Sequence, residues 1–164
     1  MGLGFEYKCS KCNKEYGIAL GIGMMYPVVY KKLVEEIKNG VFGEEWKQLF
    51  DETENVAVDA ENRVYICPDC GAWIEEKGLS LYVPDNEYAL KDVKNGLPIF
   101  YGDDSIPAMM GQKPKYRLLK EYEHKCTKCG TKMRKAREEE LYSLPCPECG
   151  SKPNQDSIGF VNWD

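Results

Sequence analysis

Apolar and polar residues alternate along Phe5-Glu6-Tyr7-Lys8-Cys9, which predicts a β-strand that ends in a turn. The stretch Gly17 to Tyr26 is apolar but carries Gly17, Gly21 and Gly23. It reads as a Gly-rich loop packed closely on its neighbours, with a bent strand as the alternative. The spacing then turns helical: Val29, Leu33 and Ile37 share one face, joined by Tyr30 and Val34. Pro27 suits a first helical turn, and Asn39-Gly40 is a stop signal, so this helix should end at about Lys38. A second helix follows, with Glu44 and Glu45 at its positive end and Trp46, Leu49 and Phe50 facing inward. Together the two predict a helical hairpin over about residues 27–50.

Period-two patterns return further on. Asn55 to Asp59 and Arg63 to Cys67 read as two strands around the turn Ala60-Glu61-Asn62. Ala72 to Glu75 and Leu79 to Val83 read as another hairpin, turning near Lys77-Gly78. Glu87 to Lys94 predicts a short helix that stops at Asn95-Gly96. The remainder of 84–115 holds Pro98, Gly102, Pro107, Gly111 and Pro114, the marks of a connector. Its Ile99-Phe100-Tyr101 and Met109-Met110 predict that part of it packs. Tyr116 to His124 should be a strand or helix anchored by Leu118 and Leu119. Thr131 to Leu141 mixes both charges and suits a solvated hairpin or a short helical turn. The apolar tail Ile158 to Asp164 should add an edge strand or cover a core.

Four Cys-x-x-Cys pairs punctuate this pattern: Cys9/Cys12, Cys67/Cys70, Cys126/Cys129 and Cys146/Cys149. They use all eight cysteines. Two pairs make one tetrahedral thiolate site, so the spacing predicts two structural ions, with zinc the expected metal. The residues after the second cysteines are Asn13, Gly71, Gly130 and Gly150, the types that tolerate the positive φ such a turn requires. Disulfides within the pairs would close tiny rings that stabilise little. Loop entropy favours joining the third and fourth pairs, only 16 residues apart. Closing that gap rather than a gap of 54 residues saves about 1 kcal/mol. The first and second pairs then form the other site. An interleaved arrangement, first with third and second with fourth, remains open.

The quartets Cys67-Pro68-Asp69-Cys70 and Cys146-Pro147-Glu148-Cys149 resemble the knuckles of zinc ribbons and rubredoxins. Tyr7-Lys8-Cys9-Ser10-Lys11-Cys12, with Tyr16 beyond it, and Tyr65-Ile66-Cys67 are also similar to rubredoxin. In that family such knuckles hold one iron, so the resemblance implies an electron-transfer alternative with iron at the first site. The chain departs from that family through its long insert and through Asn13, where glycine is usual. The whole chain also resembles uncharacterised bacterial zinc-ribbon proteins that pair such knuckles with a Gly-rich Met-Tyr-Pro segment, a resemblance that implies no activity.

The resulting expectation is an α+β chain of two small zinc-ribbon-like β units, the first with the helical hairpin inserted. Residues 1–83 would form the first domain, 84–115 a partly packed connector, 116–152 the second ribbon and 153–164 a tail. A length of 164 residues suits one or two small domains that lean on bound ions. The net charge is −5, yet residues 113–152 carry 11 Lys/Arg against 6 Asp/Glu. Lys125, Lys128, Lys132, Arg134, Lys135 and Arg137 could reach phosphates, and Tyr122 or Tyr142 could stack on bases, which makes nucleic acid a second candidate partner behind another protein. Closed four-thiolate sites leave no open position for a substrate, and neither a Ser-His-Asp grouping nor a catalytic carboxylate pair stands out, so a non-catalytic role is expected. His124 reads as a strand residue beside a complete thiolate shell. No apolar stretch is long enough to span a membrane. Glu6, Lys8, Lys11 and Lys14 fall where the apolar core of a secretory signal would lie, which predicts a cytoplasmic, reducing environment.

Overall fold

The computed structural model describes residues 2–100, 109–154, 156 and 158–163. Tyr101, Gly102 and Pro107 of the expected connector and Asp164 of the tail lie outside them. The described elements are, in chain order, β1 (Gly2–Lys8), β2 (Glu15–Leu20), α1 (Tyr26–Lys38), α2 (Glu44–Glu52), β3 (Ala57–Val58), β4 (Asn62–Ile66) and β5 (Trp73–Lys77). They continue with β6 (Leu81–Pro84), α3 (Glu87–Lys94), β7 (Tyr116–Lys120), β8 (Arg134–Lys135), α4 (Glu138–Leu141) and β9 (Gly159–Trp163). The fold is α+β, with small antiparallel sheets of three strands each. It divides into two compact units: a knuckle unit of Met1–Met24, Glu61–Lys77 and Glu123–Asp164, and a helical unit of Met25–Ala60 and Gly78–Tyr122.

The knuckle unit holds two sheets, ordered β2-β1-β9 and β5-β4-β8. β1 and β2 form a hairpin whose turn is the first Cys-x-x-Cys, with Tyr7 opposite Tyr16 and Lys8 opposite Glu15. The apolar tail does add an edge strand: β9 lies antiparallel to β1, with Phe160 opposite Phe5. β4 and β5 repeat the hairpin around the second Cys-x-x-Cys, with Ile66 opposite Trp73. The two sheets meet where Gly21 and Asn62 exchange backbone hydrogen bonds of 2.9 Å. Phe5, Tyr7, Ile18, Val64, Leu141 and Leu144 form the shared core. Of the Gly-rich run, Gly17–Leu20 belongs to strand β2, the bent-strand alternative, while Ile22 to Met25 form the non-strand link to α1. Gly17 suits this position because a Cβ would stand a tight 3.0 Å from the Phe5 carbonyl oxygen of the neighbouring strand.

The helical unit packs α1, α2 and α3 with the sheet β3-β6-β7. Its α1 buries Tyr26, Tyr30, Leu33 and Ile37, the face expected from the sequence, and Pro27 sits in the first turn. Trp46 of α2 donates its indole N–H to the Leu79 carbonyl at 2.9 Å, and its ring meets Tyr122 edge-on at 5.3 Å. The Asn86 side chain caps α3 by accepting from the Ala89 N–H at 2.9 Å. Phe100 packs between Tyr82 and Tyr116, at 4.7 and 4.6 Å between ring centres.

Two expected hairpins are not formed. The strands flanking Ala60-Glu61-Asn62 pair elsewhere: β3 with β6, and β4 with β5 and β8. The strands flanking Lys77-Gly78 likewise separate, β5 to β4 and β6 to β3 and β7. In both places the expected turn is absent, residues 59–61 and 78–80 being neither turn nor bend, and the chain passes from one unit to the other. The units therefore do not follow the consecutive segments 1–83, 84–115, 116–152 and 153–164. The knuckle unit is a discontinuous body, and the helical unit is made of its two long insertions, Met25–Ala60 and Gly78–Tyr122.

Candidate metal centres

All four knuckles share one local geometry. The N–H of the first cysteine donates to the carbonyl five residues on, from Cys9 to Lys14, Cys67 to Ala72, Cys126 to Thr131 and Cys146 to Ser151, at 2.8–2.9 Å. The residue after the second cysteine donates back to the first, and its φ is positive: 57° at Asn13, 70° at Gly71, 76° at Gly130 and 71° at Gly150. The turn thus demands the residue types found there. It also turns N–H groups towards sulfur, with Lys11 donating to Cys9 Sγ and Lys128 to Cys126 Sγ, each at 3.4 Å. In every pair the first cysteine is buried and the second exposed.

The eight sulfurs gather in two quartets, Cys9/Cys12/Cys146/Cys149 and Cys67/Cys70/Cys126/Cys129, each with its sulfurs within 4.8 Å of one another. Closest cross-pair distances are 3.4 Å (Cys9–Cys149) and 3.7 Å (Cys12–Cys146) in the outer quartet. They are 3.4 Å (Cys67–Cys129) and 3.6 Å (Cys70–Cys126) in the inner one. A tetrahedron with metal–sulfur bonds of about 2.3 Å has edges of about 3.8 Å. A disulfide brings sulfurs to about 2.05 Å. The spacing therefore fits an ion enclosed by four thiolates, and the cysteines are not bonded to one another.

The pairing corrects the sequence-based expectation. The first pair joins the fourth and the second joins the third, so the sites are nested; they are neither sequential nor interleaved. The outer quartet is closed by the β1–β9 pairing, by the Tyr7 hydroxyl donating to the Leu141 carbonyl at 2.7 Å and by the Tyr16 hydroxyl donating to the Leu144 carbonyl at 2.8 Å. Ser10 Oγ also donates to the Lys152 carbonyl at 3.0 Å.

Each site couples one Cys-[Ser/Thr]-Lys-Cys knuckle to one Cys-Pro-[Asp/Glu]-Cys knuckle. The acidic residue reaches across in both. Asp69 accepts from the Thr131 hydroxyl at 2.6 Å, and Glu148 pairs with Lys14 Nζ at 2.9 Å. Thr131 and Lys14 occupy the same place, two residues after their second cysteine. The sequence reading had not singled out these cross-links as part of the sites. Their signal is the acidic residue before the last cysteine of each Pro-containing knuckle.

Thiol acidity divides within each quartet. The side chain and the backbone of Ser151 pull Cys149 down to about 6, and those of Thr131 do the same for Cys129. The N–H of Lys14 favours the Cys12 thiolate, but the crowding sulfurs of Cys9, Cys149 and Cys146 prevail and push that thiol up to about 12. Tyr16 is pushed up to about 12 by burial and by the four sulfurs of the outer quartet beside it. A divalent cation held by such a group would let all four sulfurs ionise together.

The other residues singled out from sequence fall into place around this frame. His124 is buried and its ring stacks on Tyr65 at 3.8 Å between centres, while the quartet beside it already has four sulfurs. Of the six candidate phosphate-binding cations, Lys132 pairs with Glu123, and Arg134 and Arg137 both pair with Glu140. Tyr122 belongs to the helical unit, where it packs on Phe42 and Trp46. Tyr142 meets Phe5 edge-on. No helix among the described residues is long and apolar enough to cross a membrane. Comparison with protein-family models, curated proteins and solved structures finds no match.

Proposed function

We propose that this chain is a non-catalytic interaction module held together by two zinc ions, with all eight cysteines as ligands. The observation that carries the reading is the pair of sulfur quartets with edges near those of a zinc–thiolate tetrahedron. When bound, the ion supplies charge balance and a rigid cross-link, since four thiolates fill its coordination shell and leave no position for a reacting water. The protein's part is to hold each quartet by two knuckles and to brace it with Lys14–Glu148 or Thr131–Asp69. A reducing compartment such as the cytoplasm suits this reading, because it keeps cysteines as thiolates for metal.

A protein partner fits better than nucleic acid. Lys132, Arg134 and Arg137 are engaged by glutamates, and four thiolates around each divalent ion leave a net −2 per site. Metal analysis with a visible spectrum, on protein purified under reducing conditions, tests the reading. Two colourless zinc equivalents are expected. A red chromophore that bleaches on reduction replaces zinc by iron and supports rubredoxin-like electron transfer. A folded protein free of bound metal overturns the proposal.

A further inference from the structure

The knuckle unit contains a cleft of about 550 Å³ that both quartets share. Cys70 and Cys126 of the inner quartet line it, as do Cys146 and Cys149 of the outer one. Between them Trp73, Ile74 and Met133 supply apolar surface, and the Trp73 indole N–H is already given to the Pro145 carbonyl at 2.7 Å. The volume lies within the range of about 300–1,000 Å³ usual for ligand sites. It suits a few residues of extended chain.

The charge of this cleft is set by the metal centres. Two divalent ions in eight thiolates leave −4 around it. Lys128 also lines the cleft and offsets one unit; Glu148 lines it too but is paired with Lys14 at 2.9 Å. A guest must therefore be cationic at its polar end and apolar along its stem. Lys and Arg side chains have that form, and an indole face such as that of Trp73 attracts their heads.

We propose that the cleft binds an extended basic peptide segment, seating Lys or Arg side chains between the two anionic metal–thiolate centres. The inference rests on the reading of the chain as a module with two ions and names the chemistry of its partner.

The test uses the full-length, metal-loaded protein and a fluorescein-labelled Arg-Leu-Arg-Leu-Arg peptide, with Glu-Leu-Glu-Leu-Glu as its counterpart, followed by fluorescence anisotropy. The basic peptide should bind at least about tenfold more tightly than the acidic one and weaken as salt rises. Lys128→Gln should tighten binding about two- to fivefold and Thr127→Arg should weaken it by a similar factor, as one unit charge at a wet site allows. Both side chains are exposed and line the cleft, and because Lys128 reaches Cys126 Sγ only through its backbone N–H, metal content is counted in each variant before binding is read. If one variant loses metal, the other decides. Equal binding of the two peptides, no binding of the basic peptide to protein holding two equivalents, or displacement of that peptide by a single-stranded oligonucleotide overturns this inference alone. Folded protein without bound metal overturns both this inference and the module reading.

Discussion

Replacing cysteines two at a time separates the nested arrangement from the alternatives. Cys12→Ser with Cys149→Ser strips the outer quartet of two ligands and leaves the inner one intact. Cys12→Ser with Cys70→Ser damages both. The nested pairing predicts one retained metal equivalent in the first variant and none held tightly in the second. Sequential pairing predicts the reverse. The energetics explain why nesting wins. Joining Cys12 to Cys146 spans 133 intervening residues, against the 16 between Cys129 and Cys146. Loop closure alone therefore opposes nesting by about 1–2 kcal/mol, the lower figure applying once the inner site has shortened the path. The Tyr7 and Tyr16 hydroxyl hydrogen bonds to the Leu141 and Leu144 carbonyls return about 1 kcal/mol each. Burying Leu141 and Leu144 against Phe5, Tyr7 and Ile18 adds about 1.5–3 kcal/mol per side chain. Native mass spectrometry on protein loaded with stoichiometric zinc counts the ions. One equivalent in Cys12→Ser/Cys70→Ser and none in Cys12→Ser/Cys149→Ser would refute the nested sites.

Three further outcomes follow from the packing. Tyr7→Phe leaves the buried Leu141 carbonyl without its 2.7 Å donor and should cost about 1–2 kcal/mol, read as a fall in melting temperature of about 2–8 °C; an unchanged melting curve counts against the bond. Gly78→Ala places a Cβ 2.2 Å from Asp59 Oδ2 and 2.9 Å from Asp59 Cβ, on a residue with 4% exposure, so denaturant unfolding should show a loss of about 1–3 kcal/mol. Glu140 accepts from Arg134 and Arg137, which hold its carboxyl well below the usual range. That contribution is fully present above the unfolded carboxylate value of about 4.3 and is lost as the pH falls through the lowered folded value. Glu140→Gln should therefore melt below the parent at pH 7, by an amount limited by the exposure of Arg134, and the two curves should converge in acid; a constant gap would exclude the ion pairs as its source.

The four knuckles were legible because each writes its geometry into four or five consecutive residues. Asn13, Gly71, Gly130 and Gly150 stand at the positive φ that the turn imposes. The α1 face was legible for the same local reason, with Tyr30, Leu33 and Ile37 buried at helical spacing. Pairing was not legible, because it depends on contacts between segments more than a hundred residues apart, such as Tyr7 to Leu141. The alternation of Ser/Thr-Lys and Pro-acid knuckles does carry part of the answer. Matching unlike knuckles excludes the interleaved arrangement, yet it fits sequential and nested sites equally. Gly17 misled because glycine weakens strands on average, whereas here it lets the Phe5 carbonyl approach to 3.0 Å of where a Cβ would be. Ala60-Glu61 and Lys77-Gly78 misled as hairpin turns: turn-type residues there mark where the chain leaves one unit for the other, and they say nothing of which strand lies alongside.

The nesting also sets a schedule for the ribosome. Cys146 lies 134 residues beyond Cys12. At about 5–20 residues per second the first pair waits roughly 7–27 s for its partners. The inner quartet has all its cysteines at Cys129, before the outer one receives Cys146 and Cys149. For that interval the nascent chain displays two bare thiols, so metal supply and oxidants compete for Cys9 and Cys12 before the rest of the protein exists.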